Sequence, residues 1–324
     1  MTIIDYMRQT LTEYPKISEF LAGDEIHIDF TEPDPVNYGL TSNGDRLVKE
    51  DVLGNQIRQH NFVMYAVGQS FTDYNRLANS NFLLELSRWV ERLPSGDELT
   101  FQAGEQELKG TVLKATTANA MSMGLMEDTV DSGVMYQLQI YAQYKIEREE
   151  FKMPGTVTGK IKRKFMAHYI DSAAPGAGSE TAKYVRLGKD LEEFNVEMNA
   201  NVETKNNILG ETSVNLDSYQ PQASAEPYYA EIGDPLFERL QAIIDERQTL
   251  DDLKTSVVEV HLWDEDESKT GSYVAYKEDA IIEVSSYGGD TTGYQIPFNV
   301  HHTGNRIKGL FALTTKTFTE DGKG

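Results

Sequence analysis

The chain has 324 residues, of which 39% are hydrophobic and 10% aromatic, and it contains no cysteine. That excludes a disordered chain, disulfides, thiolate nucleophiles and Cys-ligated metal centres. Asp and Glu number 52 against 30 Lys and Arg, a formal charge of −22, which is the wrong sign for gripping duplex DNA through its phosphates.

No stretch approaches the ~18 apolar residues of a membrane span, and MTIIDYMRQTLTEYP lacks a basic region followed by an apolar one. A soluble protein made in the cytoplasm is expected. Charge divides the chain: residues 1–165 carry 17 basic and 24 acidic side chains, residues 166–324 carry 13 and 28. Between them Lys160, Lys162, Arg163 and Lys164 precede a stretch rich in Ala, Gly, Pro and Ser. This pattern reads as two reading frames joined near Phe165–Met166, giving domains at 1–160 and 184–324 with a linker or flexible arm at 161–183. The basic cluster is either a solvated end or a contact for nucleic acid or an acidic partner.

The first domain reads as α+β. Ile3, Ile4, Met7 and Leu11 recur at helical spacing before Pro15. EIHIDF (25–30) alternates as a strand, and Asn43-Gly44 suits the two positive-φ positions of a type I′ hairpin turn. NFVMYAVG (61–68) reads as a strand and 79–94 as a helix striped by Phe82, Leu86, Trp89, Val90 and Leu93, ended by Pro94. The long alternation at 133–147, with Val134, Tyr136, Leu138, Ile140, Ala142, Tyr144 and Ile146 on one side, predicts a strand with one buried face.

The second domain reads as a mainly-β sandwich or barrel with one packed helix. In FNVEMNANVET (194–204) the residues Phe194, Val196, Met198, Ala200 and Val202 occupy one side. Asn195, Glu197, Asn199, Asn201 and Glu203 occupy the other. A turn at Asn206, Asn207, Ile208, Leu209 and Gly210 returns the chain along 211–219 as a hairpin. Asp234 and Pro235 open a helix carrying Leu236, Phe237, Leu240, Ile243 and Ile244. Strands follow at 255–264, 278–287 and 294–304, the last two separated by a turn at Gly288-Gly289.

Catalytic signals are weak. Asp264-Glu265-Asp266-Glu267 has its glycine and its final residue at the wrong positions for a calcium loop and reads better as a solvated hairpin tip. His301 and His302 are adjacent on a strand and point to opposite faces, and the other histidines are scattered. GTVTGK (155–160) is too short for a phosphate-binding loop, and no GxSxG or GxGxxG occurs. No enzyme and no cofactor are indicated. The polar face of 194–204 is either solvated or lines a wide aqueous passage that repels phosphate.

Residues 166–324, with KDLEEFNVEMNANVETKNNILGETS, PYYAEIGDPLFERLQ and AIIEVSSYGGDTTGYQIPFNVHHTGNRIKG, resemble the tail tube (major tail) proteins of tailed phages and prophages. Residues 1–165, with FTEPDPVNYGL, RQHNFVMYAVGQSF and LELSRWVERLP, resemble the small minor-capsid or tail-terminator proteins of such genomes. The order of elements fits the resemblance, hairpin, helix, then strands ending in an exposed tail, and it implies hexameric rings stacked into a DNA-conducting tube capped by a terminator ring that joins the head connector. Its implied partners are further copies of itself, a tape-measure protein and the connector; double-stranded DNA passes non-specifically, and no membrane is involved. It places the protein in the virion tail after assembly in the host cytoplasm. Carried onto this chain, it makes Asn195, Glu197, Asn199, Asn201 and Glu203 lumen-facing, Asn206–Gly210 an inter-ring contact and 166–183 an inter-ring arm. A contractile-injection or tailocin tube is a variant of this expectation. A calcium- or carbohydrate-binding β-sandwich, suggested by the acidic tip and the many tyrosines, is the alternative from another class.

Overall fold

A computed structural model describes residues 1–17, 26–29, 37–68, 73–103, 106–125, 134–147, 159–175, 182–191 and 193–321. The protein is mainly β, with three α-helices among the described residues. Contacts divide it into two compact units, Met1–Glu50 with Asn55–Glu150, and Asp51–Gly54 with Phe151–Gly324.

The first unit opens with α1 (Ile3–Thr12). Thr2 and Asp5 form a reciprocal capping box, the Asp5 amide donating to Thr2 Oγ1 at 3.1 Å and the Thr2 amide to Asp5 Oδ2 at 3.2 Å. Then come β1 (His27–Ile28), β2 (Asn37–Glu50), β3 (Gln56–Gly68), α2 (Asp73–Val90), β4 (Glu98–Ala103), β5 (Gln106–Leu125) and β6 (Val134–Glu147). They form one six-stranded sheet in the order β1-β2-β3-β6-β5-β4, with β1 parallel to β2. The predicted alternation of β6 is observed: Val134, Tyr136, Leu138, Ile140, Ala142 and Tyr144 are buried. They join Met7 and Leu11 of α1 and Phe82, Leu86 and Val90 of α2 in one core. Each such large side chain contributes about 1.5–3 kcal/mol by leaving water.

Asn43-Gly44 is not a hairpin turn. β2 runs straight through it, and the register shift between Ser42 and Asp45, with Gly44 at φ +95°, marks a bulge. Residues beyond the bulge stay paired with β3 because Asp45 is tied there, accepting from Arg58 Nε and from the Tyr144 hydroxyl, each at 2.5 Å. The chain reverses instead at 51–55, where Asp51 accepts from the Leu53 amide and Gly54 takes φ +89°. The predicted strand 25–30 is reduced to β1; Glu25 and Phe30 lie outside the described residues.

The second unit continues with a 3₁₀ turn at Arg163–Phe165, β7 (Met166–Asp171), β8 (Tyr184–Leu187), β9 (Val196–Glu197), β10 (Ala200–Asn206), β11 (Thr212–Tyr219) and β12 (Gln222–Ala225). Next are α3 (Pro235–Glu246), β13 (Lys254–Glu265), β14 (Ser272–Val284), β15 (Gly288–Asp290), β16 (Gly293–Gln295), β17 (Phe298–Ala312) and β18 (Thr317–Glu320). The main sheet has eight strands in the order β8-β7-β13-β14-β17-β12-β9, with β18 also on β17. Asp234 caps α3 as predicted, accepting from the Leu236 amide at 2.9 Å and from the Tyr228 hydroxyl at 2.6 Å. Leu236, Leu240, Ile243 and Ile244 of α3 pack with Ile170, Val257, Ile282, Phe298 and Val300 of the sheet. A second cluster gathers Ala167, Tyr169, Tyr184, Val258, Val260, Leu262 and Phe311.

The expected arm at 161–183 is overturned where the chain forms a 3₁₀ turn and β7, Arg163–Asp171. β7 lies between β8 and β13, and Ala167, His168, Tyr169 and Ile170 are buried. Phe165 is buried beside them, so the chain is already packed before Met166. Residues 176–181 lie outside the described residues. Other boundaries move too. β14 starts at Ser272 rather than 278, and Gly288-Gly289 belongs to β15, whose turn is at Thr291–Thr292. Where an exposed tail was expected, β17 runs on to Ala312 and pairs with β18. Gly309 makes that pairing possible: a Cβ there would sit 2.2 Å from Thr319 O and 2.6 Å from the Phe318 ring. Gly309→Ala is therefore expected to detach β18 and leave the rest of the sheet folded. Hydrogen exchange should speed up for residues 317–320 and remain slow in β13 and β14.

Candidate self-association surface

β10 and β11 form a two-stranded sheet of their own, and every residue of β10 is exposed. Cross-strand partners share a face. Val202–Leu216, Thr204–Val214 and Asn206–Thr212 lie on one side, Glu203–Asn215 and Lys205–Ser213 on the other. The first side is a β-branched and leucine stripe in water, with Val202 at 51% exposure, Val214 at 65% and Leu216 at 49%. Met198 and Tyr219 at its root are half exposed as well. An isolated two-stranded hairpin is marginal in water, and its apolar side has no lining of its own.

The single continuous strand expected over 194–204 is broken. β9 ends at Glu197, Asn199 takes φ +42°, and β10 begins at Ala200. Asn199 is held there because its Nδ2 donates to Gln220 O at 3.2 Å, while the Gln220 amide donates to Met198 O at 3.1 Å. Phe194 is buried as predicted, but Met198, Ala200 and Val202 are not core residues of the single chain. Asn195, Glu197, Asn199, Asn201 and Glu203 are all exposed, yet they do not share one strand face. Asn195 precedes β9 and donates to Glu193; Glu197 belongs to the main sheet. Asn201 and Glu203 lie on β10, Glu203 within 2.9 Å of Lys205 Nζ. Such an exposed pair contributes about 0–1 kcal/mol.

The tip is built by Asn207. Its Oδ1 accepts from the Leu209 amide at 2.9 Å and the Glu211 amide at 3.0 Å, and its Nδ2 donates to Glu211 Oε2 at 2.7 Å. Gly210 supplies the positive φ of +81°. Closing the turn this way thrusts Ile208 and Leu209 outward, Ile208 completely exposed and Leu209 at 78%. Two large aliphatic residues at the tip of a solvent-surrounded hairpin extend the stripe of Val202, Val214 and Leu216. The tip residues were singled out from the sequence. The stripe was missed because Val202 was assigned to a core, although Val214 and Leu216 alternate in step with it.

Elsewhere the candidate sites dissolve into local structure. At the acidic tip, Asp266 Oδ1 accepts from the Ser268 amide at 2.9 Å and Glu265 Oε1 from the Gly271 amide at 2.7 Å, closing the β13–β14 turn. His301 meets Glu283 at 2.6 Å, whereas His302 lies 3.4 Å from Glu278. Among the described residues no group of three His, Asp or Glu is placed to hold a metal ion, and no helix is long and apolar enough to cross a membrane. Of the basic cluster, Arg163 is engaged, donating to Met166 O and to Phe194 O.

A comparison with protein-family models and one with curated proteins find no match to this chain.

Asn207→Ala removes three hydrogen bonds from the tip at once. It is expected to release the amides of Leu209 and Glu211 to rapid exchange while the free energy of unfolding changes by no more than about 0.5 kcal/mol, since the tip side chains Ile208 and Leu209 are exposed.

Proposed function

We propose that this chain is a structural, non-catalytic subunit of a phage-like tail. The single observation that carries the reading is the hairpin β10–β11, which presents apolar side chains on one side and at its tip, exposed and uncovered among the described residues. A surface of this kind is satisfied by further copies of the same chain. In this reading the second domain pairs into a sandwich- or barrel-like wall, with α3 packed on it, and forms hexameric rings that stack into a tube. Asn195, Glu197, Asn199, Asn201 and Glu203 border the lumen, where carboxylates repel the phosphates of passing double-stranded DNA and keep it from adhering. Asn206–Gly210, led by Ile208 and Leu209, seats in the next ring. The α+β first domain acts as the terminator that caps the tube and meets the head connector, with the tape-measure protein inside. The site of action is the virion tail.

The alternative, a calcium- or carbohydrate-binding β-sandwich, draws on the acidic tip at 264–267. Its support is thin, because Glu265 and Asp266 already spend carboxylate oxygens on the turn's own amides. A melting temperature raised several degrees by calcium, and lowered again by chelator, would favour it.

Electron microscopy of the full chain at high concentration is expected to show rings or short tubes. A strict monomer at every concentration would defeat the reading. Val214→Thr combined with Leu216→Asn should abolish the rings and change the free energy of unfolding in urea by no more than about 0.5 kcal/mol, because both side chains are exposed in the lone chain.

A further inference from the structure

Beside the first turn of α3 lies a cleft of about 210 Å³, bounded by β8, the segment after β12 and the helix. Val185, Leu191, Ala225, Tyr228 and Leu236 give it apolar walls. The space exists because Ala225, wholly buried at the end of β12, stops at its Cβ where a larger residue would fill it. Both tyrosine walls are held from behind. The Tyr228 hydroxyl donates to Asp234, and its ring meets that of Phe298 edge-on at 5.6 Å. Tyr229 also lines the cleft; its hydroxyl accepts from Thr292 Oγ1 at 3.4 Å, and its ring lies against Gly293. Gly188 and Asp190, at φ +129° and +62°, turn the chain after β8 and bring Leu191 to the cleft. On the rim an exposed ion pair joins Lys189 to Glu231. Such a pair rearranges at little cost.

Size and polarity match this cleft to the hairpin tip. An apolar cavity of about 150 Å³ takes in benzene, so one of about 210 Å³ admits an isoleucine or leucine side chain. Ile208 is completely exposed and Leu209 78% exposed, so neither enters the cleft of its own chain. From Asn199 to Asn207 the extended strand carries the tip about 25 Å from the root at Gln220. Ala225 of the cleft lies only five residues past that root. What the tip can reach is the cleft of another copy. A formal charge of −22 makes most surfaces of two copies repel one another. Residues 204–210 are an exception, with Lys205 and no acid, and they approach a rim that carries Asp190 and Glu231 without meeting like charge.

We propose that the hairpin tip of one copy seats in this cleft of a second copy, with Ile208 and Leu209 buried against Val185, Tyr228 and Tyr229. This inference rests on the reading of β10–β11 as the assembly element and names the surface that element meets. Val185 belongs to β8, at the end of the sheet among the described residues, where another chain has access. Tip and cleft are different patches of one molecule, so the contact is head-to-tail. Each copy gives a tip and accepts one, and the series closes into a ring or continues as a stack. Because the tyrosines are already braced, the tip has only water and the Lys189–Glu231 pair to displace.

The chain has no cysteine, so introduced cysteines report the contact directly. Full-length Leu209→Cys and Val185→Cys chains are mixed under a mild oxidant, and mixed disulfide dimers are identified by mass. A seated tip raises the local concentration of the two thiols, so these dimers should form about tenfold faster than dimers of Leu209→Cys with Leu250→Cys. Leu250 is the harsher control, being 83% exposed and outside the cleft. Adding Ile208→Asp to the Leu209→Cys chain should return the rate to the control value, since a carboxylate does not enter an apolar cleft unpaired. Equal rates for the two pairings, or a fast bond that survives Ile208→Asp, would overturn the contact. Electron microscopy of the unsubstituted chain separates the two claims. Rings without a preferred bond keep the tail reading and remove the cleft as its receptor. A preferred bond without rings or tubes keeps the contact and removes the tail reading.

Discussion

A ribbon of two strands has two faces and no interior, so an apolar side can be dried only by something outside it. β10 and β11 pose this problem in its plainest form: Val202, Val214 and Leu216 align across the ladder, and Ile208 and Leu209 extend the line beyond the turn. The main sheet of the second unit covers both of its apolar clusters internally. One side of the eight-stranded sheet lies under Leu236, Leu240, Ile243 and Ile244 of α3, and the cluster around Phe311, Tyr169 and Val260 is closed as well. The hairpin keeps its apolar stripe in water, with Val214 at 65% exposure and Ile208 fully exposed.

Along the main sheet the adhesive changes from apolar to ionic. The sheet surface near α3 is aliphatic, with Ile170, Val257 and Val300, whereas along the same strands His168, Glu259 and Arg306 take over. Apolar packing tolerates changes of pH; hydrogen bonds to an imidazole do not. Phe194 lies at the changeover, its ring buried and its carbonyl tied to Arg163. The break at Asn199 then lets β10 leave the sheet at an angle set by one backbone conformation rather than by continuous pairing.

Much of this architecture was legible from residue patterns, and the failures share physical causes. β6 and α3 were readable because large apolar residues at the proper spacing coincide with clear capping and stop signals. β5 left no such trace: its inward positions include Val112 and Ala115, and its later part reads Thr, Ala, Asn, Met and Ser, too small and too polar to alternate visibly. Of the two positive-φ positions announced by Asn43-Gly44 only Gly44 takes one, at +95°, because a single positive-φ glycine serves a bulge and Asp45's distant partners Arg58 and Tyr144 keep the strand running. At the candidate site the tip and the hairpin pairing were visible in 206–219. The apolar stripe was hidden because alternation marks a face without saying whether the chain itself or a neighbour covers it. The break at Asn199 likewise depends on Gln220, twenty-one positions away.

The interior position of β7 bears on how the second unit can be handled as a separate piece. A fragment opening at Tyr184, where composition alone would draw the border, would leave β8 without its ladder partner and strip the flank of β13 bare. Raw strand edges of that kind invite clumping between chains. The sensible cut falls ahead of Arg163, so that the 3₁₀ turn, Phe165 and the middle strand travel with the sheet they complete.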